Sequence, residues 1–183
     1  MSDKHELLRR IEQLEARHHI AELVSSYARA CDEHDVATLA NIFTEDGVIE
    51  SPSKLLEARG REGIRATFTA RYKNRGPSYH WTHDHVVRFD ADDPNRATGL
   101  VLGHAETSPN GESSLAAMRY EDTYQRVDGR WLFARRVLKF FYYVPARDYA
   151  GVMASSQRLT VGGNRLPADY PESLATWRAM LTA

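Results

Sequence analysis

Residues 110–133 read NGESSLAAMRYEDTYQRVDGRWLF, a long strand pattern between two turn dipeptides. Asn110-Gly111 and Asp128-Gly129 are residues that accept the positive φ of tight hairpins. Ser113 to Val127 between them predicts a strand. Working outward, Arg96 to Thr107 and Arg130 to Tyr143 predict its two partners. Asp92-Asp93-Pro94-Asn95 predicts another turn, preceded by a strand over Tyr79 to Asp90. The four strands make an antiparallel meander. Each is longer than the usual ~5–6 residues, so the sheet must twist and curl, with bulges.

Helices precede this sheet. Leu7, Leu8, Ile11, Leu14, Ile20, Val24, Tyr27 and Cys31 recur in steps of three and four, predicting a helix from 3 to about 32. Its first half is more polar and suits packing on another subunit. Asp35 caps a short second helix with Val36, Leu39, Ile42 and Phe43 inward, ended by Asp46-Gly47. Val48-Ile49-Glu50 predicts a short strand. Ile64, Phe68 and Tyr72 mark a third helix over Arg61 to Lys73, broken by Arg75-Gly76-Pro77. After Pro145 the chain reads as irregular to about 170, and Pro171 suits the start of a final helix to about Leu181. Helices segregated from strands give an α+β class: a strongly curved sheet closed by N-terminal helices around one deep apolar pocket. The expected organisation is one domain over 1–183, with a core at about 7–143. The extension 144–183 is expected to pack on the pocket mouth or on a neighbouring subunit.

Composition narrows the function. The chain has 183 residues, 24 Lys+Arg against 25 Asp+Glu, and one Cys. The near-zero net charge argues against nucleic-acid binding, which needs surplus cations. One Cys excludes an internal disulfide framework and a multi-Cys zinc site. The charged N-terminus has no apolar run behind it, so no secretory signal is expected. No membrane span is expected either, and a cytoplasmic protein is the default. No G-x-G-x-x-G, P-loop or G-x-S-x-G motif is present, which points away from a nucleotide cofactor and a serine nucleophile.

Two segments could carry chemistry: Tyr27-Ala-Arg-Ala-Cys-Asp32-Glu-His-Asp35, and His80-Trp-Thr-His83-Asp84-His85-Val-Val-Arg-Phe-Asp90. Asp32 is either an exposed acid at a helix end or a buried carboxylate that orients a histidine. Tyr27 is either packing or a phenol donating into the pocket. On an ideal helix at about 100° per residue these two lie about 140° apart, an obstacle to a shared role. Strand alternation puts His80, Thr82, Asp84 and Val86 on one face, and His83, His85 and Val87 on the other. His83 and His85, with His104 or Glu106, are too loose a pattern to imply a metal. Cys31 has only His34 as an activating neighbour. Of Arg135, Arg136 and Lys139, one could reach the pocket to hold an anion or carbonyl. Phe140 to Tyr143 suit pocket wall or subunit interface.

The element order resembles the nuclear transport factor 2-like cone. Within that fold, three segments resemble the SnoaL-like group, which includes polyketide cyclases, scytalone dehydratase, hexachlorocyclohexane dehydrochlorinase and bile-acid 7α-dehydratase. The segments are Ile20 to Asp32 with Leu39, Phe43 and Asp46-Gly47; His80-x-x-x-Asp84-x-x-Val87-x-Phe89-Asp90; and Tyr120 to Phe133. The resemblance covers about residues 7–143. It implies a base dyad, with the family's helix aspartate at Asp32 and its strand histidine at His80. It also implies the helix tyrosine at Tyr27. A late-strand basic group falls on Arg136 or Lys139. Asp84 stands where the family often has Asn. The substrate-binding candidates are accordingly His83, Asp84, His104, Arg136, Lys139 and Tyr142.

The implied function is a cofactor-free, metal-free lyase of dehydratase type, or a cyclase or isomerase. Its substrate would be a hydrophobic cyclic small molecule such as a steroid, polyketide or terpenoid-like compound. The expected assembly is a homo-oligomer, trimer or dimer. The alternatives are a non-catalytic small-molecule-binding module and a structural subunit resembling the dioxygenase small subunit.

Overall fold

The computed structural model describes residues 2–181. Helix α1 (Ser2–Asp32) is followed by α2 (Val36–Asn41), strands β1 (Phe43–Glu50) and β2 (Glu57–Arg59), and helix α3 (Gly60–Tyr72). Four long strands follow: β3 (Arg75–Phe89), β4 (Arg96–Pro109), β5 (Ser114–Val127) and β6 (Arg130–Pro145). A 3-10 turn (Ala146–Asp148) and α4 (Tyr149–Val152) lead to a small hairpin, β7 (Leu159–Val161) and β8 (Asn164–Leu166). Helix α5 (Ala175–Leu181) ends the described chain.

The sheet runs β2-β1-β6-β5-β4-β3, and β7 with β8 adds to β6. β3 to β6 form the expected antiparallel meander, while β1 lies parallel to β6. The large curved, unclosed sheet with N-terminal helices is the α+β cone expected from the element order. Its curvature has a visible cause on β4. A Cβ at Gly99 would sit 2.5 Å from the Tyr124 hydroxyl, and one at Gly103 would sit 2.9 Å from Cε2 of Tyr120. The two tyrosines of β5 fold over these bare backbone positions, which only glycine allows.

α1 buries Ile20, Leu23, Val24, Tyr27, Ala30 and Cys31 in the common core. Its first half projects: Leu7, Leu8, Ile11 and Leu14 are exposed. Among the described residues no helix is long and apolar enough to cross a membrane.

Four boundaries differ from expectation. Asp46-Gly47 does not end a helix; β1 runs through it, with a register shift between Phe43 and Val48. Arg75-Gly76-Pro77 follows the end of α3 at Tyr72 as expected, but it also opens β3 earlier than the expected start at Tyr79, because Arg75 already pairs with Pro109. The stretch after Pro145 is not wholly irregular: Gly162 and Gly163, at φ 56° and 83°, make the turn of the β7–β8 hairpin. The last helix starts at Ala175, since Leu174 and its neighbours form a turn on Pro171. This C-terminal segment is fastened to the meander. Leu159 pairs with Tyr143 and is fully buried. The buried Arg158 donates to the carbonyls of Phe141, Ser155 and Tyr170 and to Glu172.

Candidate active site

Asp32 is the last residue of α1, and the chain turns away behind it. Asp35, three residues on, caps α2 by accepting from the Thr38 amide. The Asp32 carboxylate faces the start of β3. Its Oδ2 accepts from the His80 backbone N–H at 2.9 Å, and its Oδ1 lies 2.5 Å from His80 Nδ1. Ser78 Oγ donates to Oδ1 at 3.5 Å. A carboxylate against Nδ1 holds the proton there and leaves Nε2 as the basic nitrogen. The His80 side chain is 11% exposed, so ring orientation is fixed by packing as well as by charge.

His80 lines an inner cavity of about 50 Å³ together with Tyr27, Cys31, Phe68, Met118, Tyr120, Leu138 and Phe140. This is narrower than the deep pocket expected. The helical-angle obstacle between Tyr27 and Asp32 disappears because Asp32 stays outside this cavity. Tyr27 reaches it directly, while Asp32 acts on the side of His80. Burial first, then Cys31 and Tyr120, push the Tyr27 phenol well above its usual range, so it is a neutral donor. Burial likewise pushes the Cys31 thiol up to about 11, which makes it a poor nucleophile at neutral pH.

Leu55, Arg71, Arg75 and Tyr143 line this cavity and also a cleft of about 610 Å³ outside it. They form the neck between the two spaces. Thr160, Val161, Gly162 and Gly163 of the β7–β8 hairpin supply part of the outer wall.

The remaining candidates are not brought to the cavity. On β3, Asp84 and His85 together oppose Val101 of β4, a bulge between His83 and Val86. Asp84 adopts φ 52° there. The extra residue reverses the strand's parity. His85, Val87 and Phe89 therefore turn inward with His80, while His83 and Asp84 remain outside. The alternation expected for Asp84, Val86, His85 and Val87 is corrected accordingly. His83 contacts Asp84 at 2.8 Å and His104 at 3.2 Å on the exposed face. His83 and His85 thus lie on opposite faces. Among the described residues no three His, Cys, Asp or Glu side chains are grouped to hold a metal ion. Lys139 pairs with Glu121 at 2.8 Å. Tyr142 packs on Tyr149, their ring centres 5.1 Å apart. Neither lines the inner cavity.

Arg136 points inward, yet does not line the cavity. It is fully buried and makes a two-pronged contact with Asp122, both bonds 2.8 Å. Its guanidinium lies 4.3 Å from the ring centres of Tyr27 and Tyr120 and 4.1 Å from that of Phe133. It backs the tyrosines of the cavity wall. Tyr124 donates to Asp122, and His85 Nε2 lies 3.2 Å from that hydroxyl. Burial lowers the His85 pKa. Arg71 and Arg75 were not singled out from the sequence, and Tyr143 was expected only as pocket wall or subunit interface. Arg71 belongs to the polar pattern of a surface helix, Arg75 sat in a helix-breaking tripeptide, and Tyr143 was one of four consecutive aromatics.

A family model described as the SnoaL-like domain matches residues 12–137. No curated protein matches the sequence significantly. Solved structures similar in fold include a candidate scytalone dehydratase from Novosphingobium aromaticivorans. It has 20% identity and a TM-score of 0.70, and the match covers 96% of this chain and 99% of that one. A type 2 hexachlorocyclohexane dehydrochlorinase has 20% identity and a TM-score of 0.68, covering 74% of this chain and 91% of that one. A protein of unknown function from Mycobacterium tuberculosis has 24% identity and a TM-score of 0.63, covering 76% and 78%. With the curved sheet, the N-terminal helices and a family match over most of its length, the chain belongs to the SnoaL-like domain family of the nuclear transport factor 2-like superfamily.

Proposed function

We propose that this protein is a lyase or isomerase of the acid–base kind, using no cofactor, and that His80 is its base. The observation that carries the reading is the Asp32–His80 contact at 2.5 Å with His80 lining the inner cavity. His80 Nε2 takes a proton from a carbon next to an activating carbonyl. Asp32 stabilises the imidazolium that forms. The electron pair left behind moves into a C=C bond and expels a leaving group, or, in an isomerisation, delocalises through the enolate and takes the proton back from His80 at another carbon. Tyr27, held neutral by burial, donates a hydrogen bond to the carbonyl or the departing group. A positioned acid–base pair supplies about 10²–10⁴-fold. The solved relatives titled as a dehydrochlorinase and a scytalone dehydratase support elimination over cyclisation.

The inner cavity of about 50 Å³ holds only the reacting end of a ring-sized substrate, and the cleft of about 610 Å³ takes the rest. The C-terminal segment belongs to the same domain in this proposal, because its hairpin walls that cleft.

The test has two readouts. In ¹⁵N spectra of the imidazoles, His80 carries its proton on Nδ1, and Asp32→Asn scrambles that preference. Turnover of β-hydroxy and β-halo cyclic ketones falls by about 10²–10⁴-fold in His80→Ala, with an unchanged circular dichroism spectrum. Wild-type turnover in a folded His80→Ala protein refutes the base assignment. An Nε2-protonated His80 refutes the dyad.

A further inference from the structure

Arg71 and Arg75 both stand at the neck. Arg71 lies in the last turn of α3 and Arg75 opens β3. Both line the inner cavity and the outer cleft. Their polar contacts are with neutral groups. Arg71 Nη1 donates to the Leu55 carbonyl at 2.9 Å, and Arg75 Nη2 donates to the Tyr143 hydroxyl at 3.0 Å. That hydroxyl also contacts Thr107 Oγ1 at 3.0 Å, which fixes it in the cavity wall.

The other charged residues around the cleft are neutralised. Lys54 pairs with Glu57, and Glu112 pairs with Arg147. Among the described residues, neither Arg71 nor Arg75 has a carboxylate within ion-pair distance. The neck therefore holds two positive charges with no counter-charge from the chain. Burial, and then the charge of Arg75, lower the Arg71 pKa. Two partly buried guanidiniums without a partner are costly unless something else supplies the anion. Each presents a planar fork that matches a carboxylate.

We infer that the neck binds the carboxylate of an organic acid, whose reacting end enters the inner cavity toward His80. The inference rests on the proposed site and narrows its substrate class from an apolar ring compound to an apolar acid. Arg71 and Arg75 are binding residues here, and the Arg75–Tyr143–Thr107 chain positions one of them.

The experiment compares two probes by calorimetry, 3-phenylpropanoate and its neutral isostere 3-phenylpropanamide. The acid is expected to bind at least about tenfold tighter. Arg75→Gln and Arg71→Gln each remove most of that preference, and Arg75→Lys restores part of it. Raising the salt concentration weakens the acid and not the amide. His80→Ala keeps the preference, so failure of the dyad and failure of the neck are read separately. Equal affinity for acid and amide, no binding of the acid, or a preference that survives both glutamine variants overturns the inference.

Discussion

Asp122 and Arg136 face each other across β5 and β6, and both side chains are fully buried. Such a pair is weak evidence of stability, because two desolvated charges roughly cancel their own attraction. Removing one partner is different, since the other charge is then left alone. Arg136→Met should cost about 3–5 kcal/mol, read from urea unfolding. Adding Asp122→Leu to Arg136→Met should recover most of that loss. If the single variant unfolds like wild type, the pair is not what backs Tyr27 and Tyr120. At this scale the sequence was legible where spacing carried information. Tyr27, Asp32 and His80 were picked out together by the family resemblance; Asp32 contacts His80, and Tyr27 shares the inner cavity with His80. Arg71 and Arg75 were not legible, because a cation on a helix flank looks the same in sequence whether it faces solvent or a cavity neck. Arg136 was legible as a candidate for the pocket, alongside Arg135 and Lys139. Its fully buried partner on another strand was not.

The bulge in β3 decides which histidines enter the fold. Residues up to Thr82 alternate as the sequence predicts, and residues from His85 onward alternate in the opposite phase. A strand pattern read residue by residue has no means of counting one extra member. The signal available was Asp84, a residue type that accepts left-handed backbone more readily than most. Its φ of 52° makes a simple prediction. Asp84→Gly should leave the strand intact and stabilise the protein by up to about 1 kcal/mol. Deleting Asp84 should restore strict alternation and leave His85, Val87 and Phe89 facing inward, because Thr82 already faces in and His83 out. The Asp84→Gly thermal melt should move up, and a melt at or below wild type would mean that the left-handed backbone at Asp84 carries no strain.

Over the whole molecule, the meander and N-terminal helices form the frame, and residues beyond Pro145 form a strap across it. Asp169 accepts from the Phe140 amide and from Ser53 Oγ, both at 3.0 Å, tying the strap to the loop before β2. Arg158 is its main rivet. Arg158→Ala should speed amide exchange about 10–100-fold through residues 143–168, an opening cost lowered by about 1.4–2.8 kcal/mol. Exchange in the centres of β4 and β5 should stay slow. A uniform increase across the sheet would show that the strap and the frame unfold as one unit. The frame was readable because hairpin dipeptides and helical periods are local. The strap was read as irregular because its three-residue strands are shorter than any pattern, and its attachment depends on single residues such as Leu159 and Arg158.

The position of the neck has an evolutionary consequence. In the proposed mechanism proton transfer belongs to the end of α1 and the inner side of β3, and admission to the loop around Leu55, the end of α3 and the β7–β8 hairpin. Only β3 belongs to both, through His80 and Arg75. Substitutions at Lys54, Leu55, Thr160 and Val161, which line the outer cleft, would thus retune which molecules are admitted while the proton-moving groups stay untouched. A new specificity on this scaffold needs a new doorway and no new chemistry.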